Sequence, residues 1–164
     1  MLIREIQLSD AEAFLHLLKQ VDDSGYMLFA PGERDSNVET ERKKIEHFLK
    51  ESNSTIFVAD TGNELVGYLM AKGNHLIRAK HSAYLVVGVH VNYRGQGIGK
   101  ELFEELFIWA RRLQLKRLEL TAIQDNKNAV KLYQKMGFII EGEKHGSLLI
   151  DGEAVDEYFM YKWL

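Results

Sequence analysis

Residues 88–113 read GVHVNYRGQGIGKELFEELFIWARRL: an apolar run, a turn carrying Gly95, Gly97 and Gly99, then a stretch with helical periodicity. A strand that passes through a glycine-rich turn into a helix presents unpaired backbone N–H groups and the positive end of the helix dipole to whatever lies above the turn. The chemistry is anion binding, most naturally of a pyrophosphate. A GxGxxG dinucleotide turn counted from Gly95 and Gly97 would need glycine at Lys100, and a GxxxxGK(S/T) loop would need glycine at Arg94 and a hydroxyl at Glu101. What remains is Arg94, Gly97 and Gly99 in the pattern RxxGxG. The N–H groups of Gln96, Gly97, Ile98, Gly99 and Lys100 are the candidates to hold phosphate, with glycine at 97 and 99 removing Cβ atoms that would keep it away. Arg94 and Lys100 either add charge there or are solvated surface residues.

Such a turn needs a strand before it and a helix after it, and the chain supplies both. LIREIQ alternates as a strand, and Ser9 or Asp10 can cap a helix running to about Ser24. A loop with the single proline, Pro31, leads to Ser36 and Glu39 at capping-box spacing and a helix with Ile45, Phe48 and Leu49 on one side. STIFVAD and ELVGYLMAKGN read as strands joined at TGN, and SAYLVVGVHV as a central strand covered on both faces. Past the glycines, Ile98, Leu102, Leu106, Trp109 and Leu113 mark a helix face, KRLELTAI returns as a strand, and Asn126 to Met136 is a helix stopped by Gly137. Two strands around a turn at Asp151 and Gly152 complete the order β-α-α-β-β-β-α-β-α-β-β, a mixed α/β sheet flanked by helices.

The chain of 164 residues, 46% apolar, is expected to be one domain over residues 1–164 with its own core. It holds no cysteine, which excludes disulfides, thiolate metal sites and a thiol nucleophile, and no metal site is expected. A formal charge of −3 offers no general attraction to nucleic acid. The N-terminus lacks signal-peptide order and no apolar run reaches membrane-spanning length, so the expectation is a cytoplasmic protein without membrane association.

A second stretch, NKNAVKLYQKMGF, follows about one strand after the glycine turn. With both motifs in this order the chain resembles the GCN5-related N-acetyltransferases (GNAT), by element order over nearly its whole length and by motif over residues 85–142. The ending EGEKHGSLLIDGEAVDEYFM is similar to the branch containing amino-acid, polyamine and ribosomal-protein acetyltransferases. The resemblance implies a mostly antiparallel sheet, acetyl-coenzyme A as co-substrate, pyrophosphate binding at Arg94, Gly97 and Gly99, and matching family positions at Asn126, Ala129, Leu132, Tyr133, Gly137 and Phe138. It also implies that Val89 and Val91 offer backbone N–H groups to the thioester carbonyl. Asn126, Ala129, Val130 and Tyr133 share one helix face, and the resemblance makes Tyr133 the general acid that protonates the departing thiolate. The competing reading is a core tyrosine bonded to backbone.

The base is open. A lysine-like amine of pKa about 10.4 loses its proton at pH 7 at a cost of about 4.6 kcal/mol, whereas an α-amine near pKa 8 needs only about one unit. Residues 81–93 hold no carboxylate, so a base in the strand before the loop, used by some relatives, does not carry over. His81 and Glu33, at element edges, and His90 and Glu119, inside strands, are the substrate-side candidates. Glu141, Glu143, Asp151, Glu153, Asp156 and Glu157 would favour a cationic amine if they line the acceptor site, and are otherwise a solvated hairpin. The expected activity is direct acetyl transfer in a ternary complex to a primary amine of a small molecule or a peptide. The alternatives are a protein N-terminal acetyltransferase and a coenzyme A-binding regulatory domain without turnover. Monomer and homodimer are both open.

Overall fold

A computed structural model describes all residues, Met1–Leu164. Its elements are β1 (Leu2–Glu5), α1 (Ala11–Asp22), α2 (Val38–Lys50), β2 (Thr55–Asp60), β3 (Leu65–Gly73), β4 (Ser82–Val89), α3 (Ile98–Arg112), β5 (Arg117–Ile123), α4 (Lys127–Lys135), β6 (Ile139–Ile150) and β7 (Glu153–Trp163), with short 3-10 turns at Leu8–Asp10 and Val91–Tyr93. This is the order read from the sequence. Three local readings change. Asn37, not Ser36, caps α2 by accepting the Thr40 N–H at 2.8 Å, and the Ser36 hydroxyl donates instead to the buried Glu41 carboxylate at 3.1 Å. Asp10 makes no side-chain cap, because Arg4 and the Gln7 N–H occupy its carboxylate. β4 stops at Val89, so His90 and Val91 lie beyond the strand; the His90 ring accepts the Asn92 N–H at 3.2 Å and opens the 3-10 turn.

The seven strands lie in the order β1-β2-β3-β4-β5-β7-β6. Every neighbouring pair is antiparallel except β4 and β5, which the α3 crossover makes parallel. Side chains alternate across the sheet and build a core on each face. Leu102, Phe103, Leu106 and Ala110 of α3 pack on Leu69, Ala71, Leu85, Leu118 and Leu120. On the other face Phe14, Leu17, Leu18 and Val21 of α1 and Ile45 of α2 pack on Ile56, Val58 and Tyr68. β4 is covered on both faces as expected, with Val87 and Val89 against the first core and Val86 against the second.

The feature that matters for function is a wedge in the sheet. β4 and β5 pair only at Ser82↔Arg117, Ala83↔Leu118 and Tyr84↔Glu119. Beyond Tyr84, β4 stays with β3 as far as Gly67↔Val89, and β5 stays with β7 as far as Ile123↔Glu157. The two strands part and leave backbone groups of β4 without a neighbour. Gly88 pairs with Tyr68 and the His90 N–H bonds to the Val66 carbonyl, so the odd-numbered Val87 and Val89 turn their backbone groups into the wedge.

Candidate active site

A cavity of about 850 Å³ opens where β4 and β5 part, bounded by the end of β4, the turn before α3, and α4. Gly97 at the N-cap of α3 has φ +88° and Gly95 has φ +75°, left-handed values that L side chains rarely adopt. A Cβ on either would meet nothing within 4 Å, so both face open space. The N–H groups of Gly95 through Lys100 donate to nothing within the chain; the next N–H, that of Glu101, bonds to the Gly97 carbonyl at 3.1 Å. Gly99 has a different reason to be glycine. It is buried, and a Cβ there would stand 2.6 Å from Leu132 Cδ2, so its bare backbone lets α4 pack against the start of α3. The expectation that its missing Cβ serves phosphate approach gives way to helix packing, while its N–H stays in the free row.

The cavity also settles side-chain positions. Arg94 lines it and folds back, its Nε donating to the Val89 carbonyl at 3.1 Å, which ties the turn to the strand end. Gln96 turns away, its amide donating to the Asn92 carbonyl at 3.2 Å, and only its backbone faces the row. Lys100 lines the cavity and lies 3.4 Å from Glu104. Lys127, Lys131 and Lys135 of α4 line it too, and none has an acidic partner. Their spacing of four puts them on one helix face, a signal the sequence carries although no expectation above rests on it. Against these cations the lining holds one carboxylate, Asp125.

α4 is fixed at both ends. Asn126 accepts the Ala129 N–H at 3.3 Å at its start, and at its end Gly137 takes φ +87° while the Phe138 N–H returns to the Tyr133 carbonyl at 2.9 Å. Between these caps Tyr133 is 8% exposed and packs edge-on against Phe103 with ring centroids 5.8 Å apart. It lines the cavity, and its hydroxyl bonds to no group of the chain, which removes the reading of a core tyrosine held by backbone. Burial pushes its pKa well above the ordinary tyrosine value and the nearby Tyr84 phenol adds to the shift, so the proton stays on at neutral pH. Val89, Asn126 and Ala129 join Tyr133 in the lining; Val91, exposed in the 3-10 turn, does not.

The substrate-side candidates are scattered. Glu33 lies in the α1–α2 connection with its carboxylate accepting the Ala30 N–H at 2.8 Å. His81 precedes β4, at the opposite end of that strand from the cavity, with its ring 6.0 Å from that of Trp163. Glu119 pairs with Arg117 at 2.9 Å. None of these, nor His90, lines the cavity. The acidic hairpin does not line it either. Glu141 is paired with Arg117, Asp156 accepts the Gly146 N–H at 2.7 Å, and Glu157 accepts the Ser147 hydroxyl at 2.8 Å. The wall facing α4 is made instead by Val21, Ser24, Tyr26 and Met27, from the end of α1 and the connection after it.

A parallel pair that parts beside a free N–H row, with α4 closing the far side, is a cleft for an extended anionic ligand, and the arrangement is that of a family of acyltransferases. The family model described as Acetyltransferase (GNAT) family matches residues 21–138, and the chain belongs to this family. It is 34% identical over 104 residues to the L-amino acid N-acetyltransferase AaaT of Escherichia coli (strain K12), covering 63% of this chain and 64% of that protein. The chain thus matches slightly less than two thirds of this relative's length. The crystal structure of an acetyltransferase of the GNAT family from Streptococcus pneumoniae superposes with a TM-score of 0.94 at 28% identity, covering 99% of each chain. A ribosomal-protein-alanine N-acetyltransferase from Brucella melitensis superposes with a TM-score of 0.88 at 26% identity over 100% of each chain. The mixed, mostly antiparallel sheet is the fold of these structures. No helix is long and apolar enough to cross a membrane.

Proposed function

We propose that the chain transfers the acetyl group of acetyl-coenzyme A to a primary amine of a small molecule. The observation that carries this is the meeting, in one cavity, of the unpartnered N–H row at Gly95–Lys100 with the buried, protonated and unbonded Tyr133. The N–H row and the cations Arg94, Lys100, Lys127, Lys131 and Lys135 suit the phosphates of coenzyme A. The wedge takes the extended pantetheine arm, and the Val87 and Val89 backbone turned into it supplies an N–H to the thioester oxygen as negative charge develops there. Attack by the amine breaks the C–S bond, and Tyr133 donates its proton to the departing sulfur. The amine's own proton leaves to solvent, and solvent returns a proton to the Tyr133 oxygen before the next turnover.

The cavity also bears on the acceptor. The wall of Val21, Ser24, Tyr26 and Met27, which we read as the acceptor side, holds no carboxylate to pair with a second ammonium, so a polyamine gains nothing there over an amine with a single positive charge. An α-amine fits, because it needs only about one pKa unit of deprotonation at pH 7 and no strong base lines the site. The relationship to an L-amino acid N-acetyltransferase supports the same choice. The test is thiol release with free amino acids, spermidine and an alanine-starting peptide at several pH values. Amino acids are expected to give the highest kcat/KM, with a pH midpoint that follows each acceptor's own pKa. A polyamine preferred over every amino acid would overturn the acceptor reading, and no binding of acetyl-coenzyme A would overturn the whole.

A further inference from the structure

Residues 23–37 join α1 to α2 without forming a helix or strand, and past Gly25 their backbone makes few bonds. From Tyr26 to Ser36 the one backbone–backbone bond is Glu33 N–H to the Ala30 carbonyl; the N–H groups of Tyr26 and Ala30 bond to the side chains of Ser24 and Glu33. Conformational entropy alone would spread such a segment over many shapes. Yet it supplies Ser24, Tyr26 and Met27 to the acceptor-side wall; Met27 rests against the core under α1 and α2, and the next residue, Leu28, stands 80% exposed.

One side chain gathers the segment. Arg34 Nε donates to Asp22 Oδ2 at 2.6 Å and Nη2 donates to Oδ1 at 3.1 Å, a two-point contact. Asp22 is the last residue of α1, its side chain 1% exposed, and that of Arg34 is 13% exposed. The guanidinium carbon lies 4.2 Å from the centroid of the Phe29 ring. Arg34 thereby clasps the end of α1, the middle of the segment and its own place just before α2, while the Ser36 bond to Glu41 fixes the far end. Arg34 itself does not line the cavity.

We propose that Arg34 is a positioning residue for the acceptor: through Asp22 and Phe29 it holds residues 24–29 in the shape that forms the acceptor wall. The kinetic half of this rests on the transferase reading; the structural half does not. Arg34→Met alone leaves a buried carboxylate without its partner and is expected to melt early, so it decides nothing. The deciding variant joins Arg34→Met with Asp22→Leu, which replaces the ion pair by apolar groups and is expected to melt near wild type. In it, amide hydrogen exchange at the bonded N–H groups of the segment, those of Ser24, Gly25, Tyr26, Ala30 and Glu33, is expected to quicken by about tenfold. Acetyl-coenzyme A affinity should hold, while the acceptor KM rises by about tenfold with little change in kcat.

Arg34→Lys keeps the charge but loses the two-point geometry, and is expected to fall between. It carries the same readouts if the double variant fails to fold. Unchanged exchange overturns the proposal whatever the acceptor, and so does quickened exchange with an unchanged acceptor KM. A wild-type protein that binds acetyl-coenzyme A but acetylates no amine counts against the transferase reading, and exchange still decides whether Arg34 holds the segment.

Discussion

Replacing Tyr133 with phenylalanine removes one oxygen and leaves the ring against Phe103 and Phe138. Two magnitudes follow, and they differ in kind. Because the hydroxyl bonds to no group of the chain, its loss forfeits no internal hydrogen bond, and the stability change should stay within about 1 kcal/mol. For a domain of this size that is a melting shift of about 2–4 °C at most. A phenol bonded to backbone would instead have left a buried acceptor stranded, at about 1–3 kcal/mol. Catalysis should fall much further. If the phenol supplies the proton that the sulfur takes, kcat drops by about 10²-fold, equivalent to about 2.7 kcal/mol of transition-state stabilisation. Acetyl-coenzyme A affinity should change little, since the phosphates are held at the α3 turn. The assay is single-turnover thiol release under saturating acetyl-coenzyme A, with a thermal melt on the same preparation. A burial-raised pKa adds a further mark: in the wild type no loss of rate from phenol ionisation should occur below about pH 10. An unchanged single-turnover rate in the variant would refute the assignment, and a variant that melts many degrees early would return Tyr133 to a purely structural role.

The lysine ladder on α4 should be felt in cofactor binding and not in turnover. Lys131→Gln or Lys135→Gln is expected to weaken acetyl-coenzyme A binding by about two- to fivefold at low salt, with the difference shrinking as salt is added; an effect that persists undiminished at high salt would mean the lysine acts other than by its charge. Acid stability should report Glu51. Its carboxylate accepts from Lys72 Nζ at 2.6 Å and from the Ser54 hydroxyl at 2.7 Å, and these bonds lower its pKa from 4.5 to about 2. A depressed carboxylate pKa contributes stability that is present above the unfolded value and lost as pH falls through the folded one, so Glu51→Gln should flatten the decline in melting temperature from about pH 5 down to about pH 2. A variant that declines as steeply as the wild type would remove Glu51 from the account.

Element order was legible because each element here is punctuated by its own chemistry. Gly62 in the β2–β3 turn, Asp151 and Gly152 in the last hairpin, and Gly137 after α4 all take positive φ, and each marks a boundary visible as a residue type. Boundaries failed where two residues competed for one task. Ser36 and Asn37 are both good caps, and Asn37 won because the Ser36 hydroxyl has Glu41 to serve. β4 read too long because Val91 continues the apolar pattern, although the chain has already turned at His90. The wedge itself left no local trace. It arises because β4 holds its register with β3 and β5 with β7, and a pairing that stops after Tyr84↔Glu119 is a property of four strands together.

The site divides along the same line. The free N–H row and the Tyr133 face were readable because each belongs to one helix, whose geometry follows from sequence spacing. The lysines 127, 131 and 135 belong to the same class, because their spacing of four gathers charge around a helix where a hairpin spreads it over two faces. Hairpin charge was the poorer guide, since a strand alternates its faces and an edge hairpin gives acidic groups local partners: Arg117 for Glu141, the Gly146 N–H for Asp156, Ser147 and Lys144 for Glu157. A carboxylate attracts a substrate only where it faces the cavity unpaired, and charge counted along a chain carries neither fact. Arg34 shows the converse. One basic residue in a polar loop reads as solvated surface, and only the fold, by bringing the end of α1 and Phe29 to it, makes it the fastening of a wall whose backbone makes few bonds of its own.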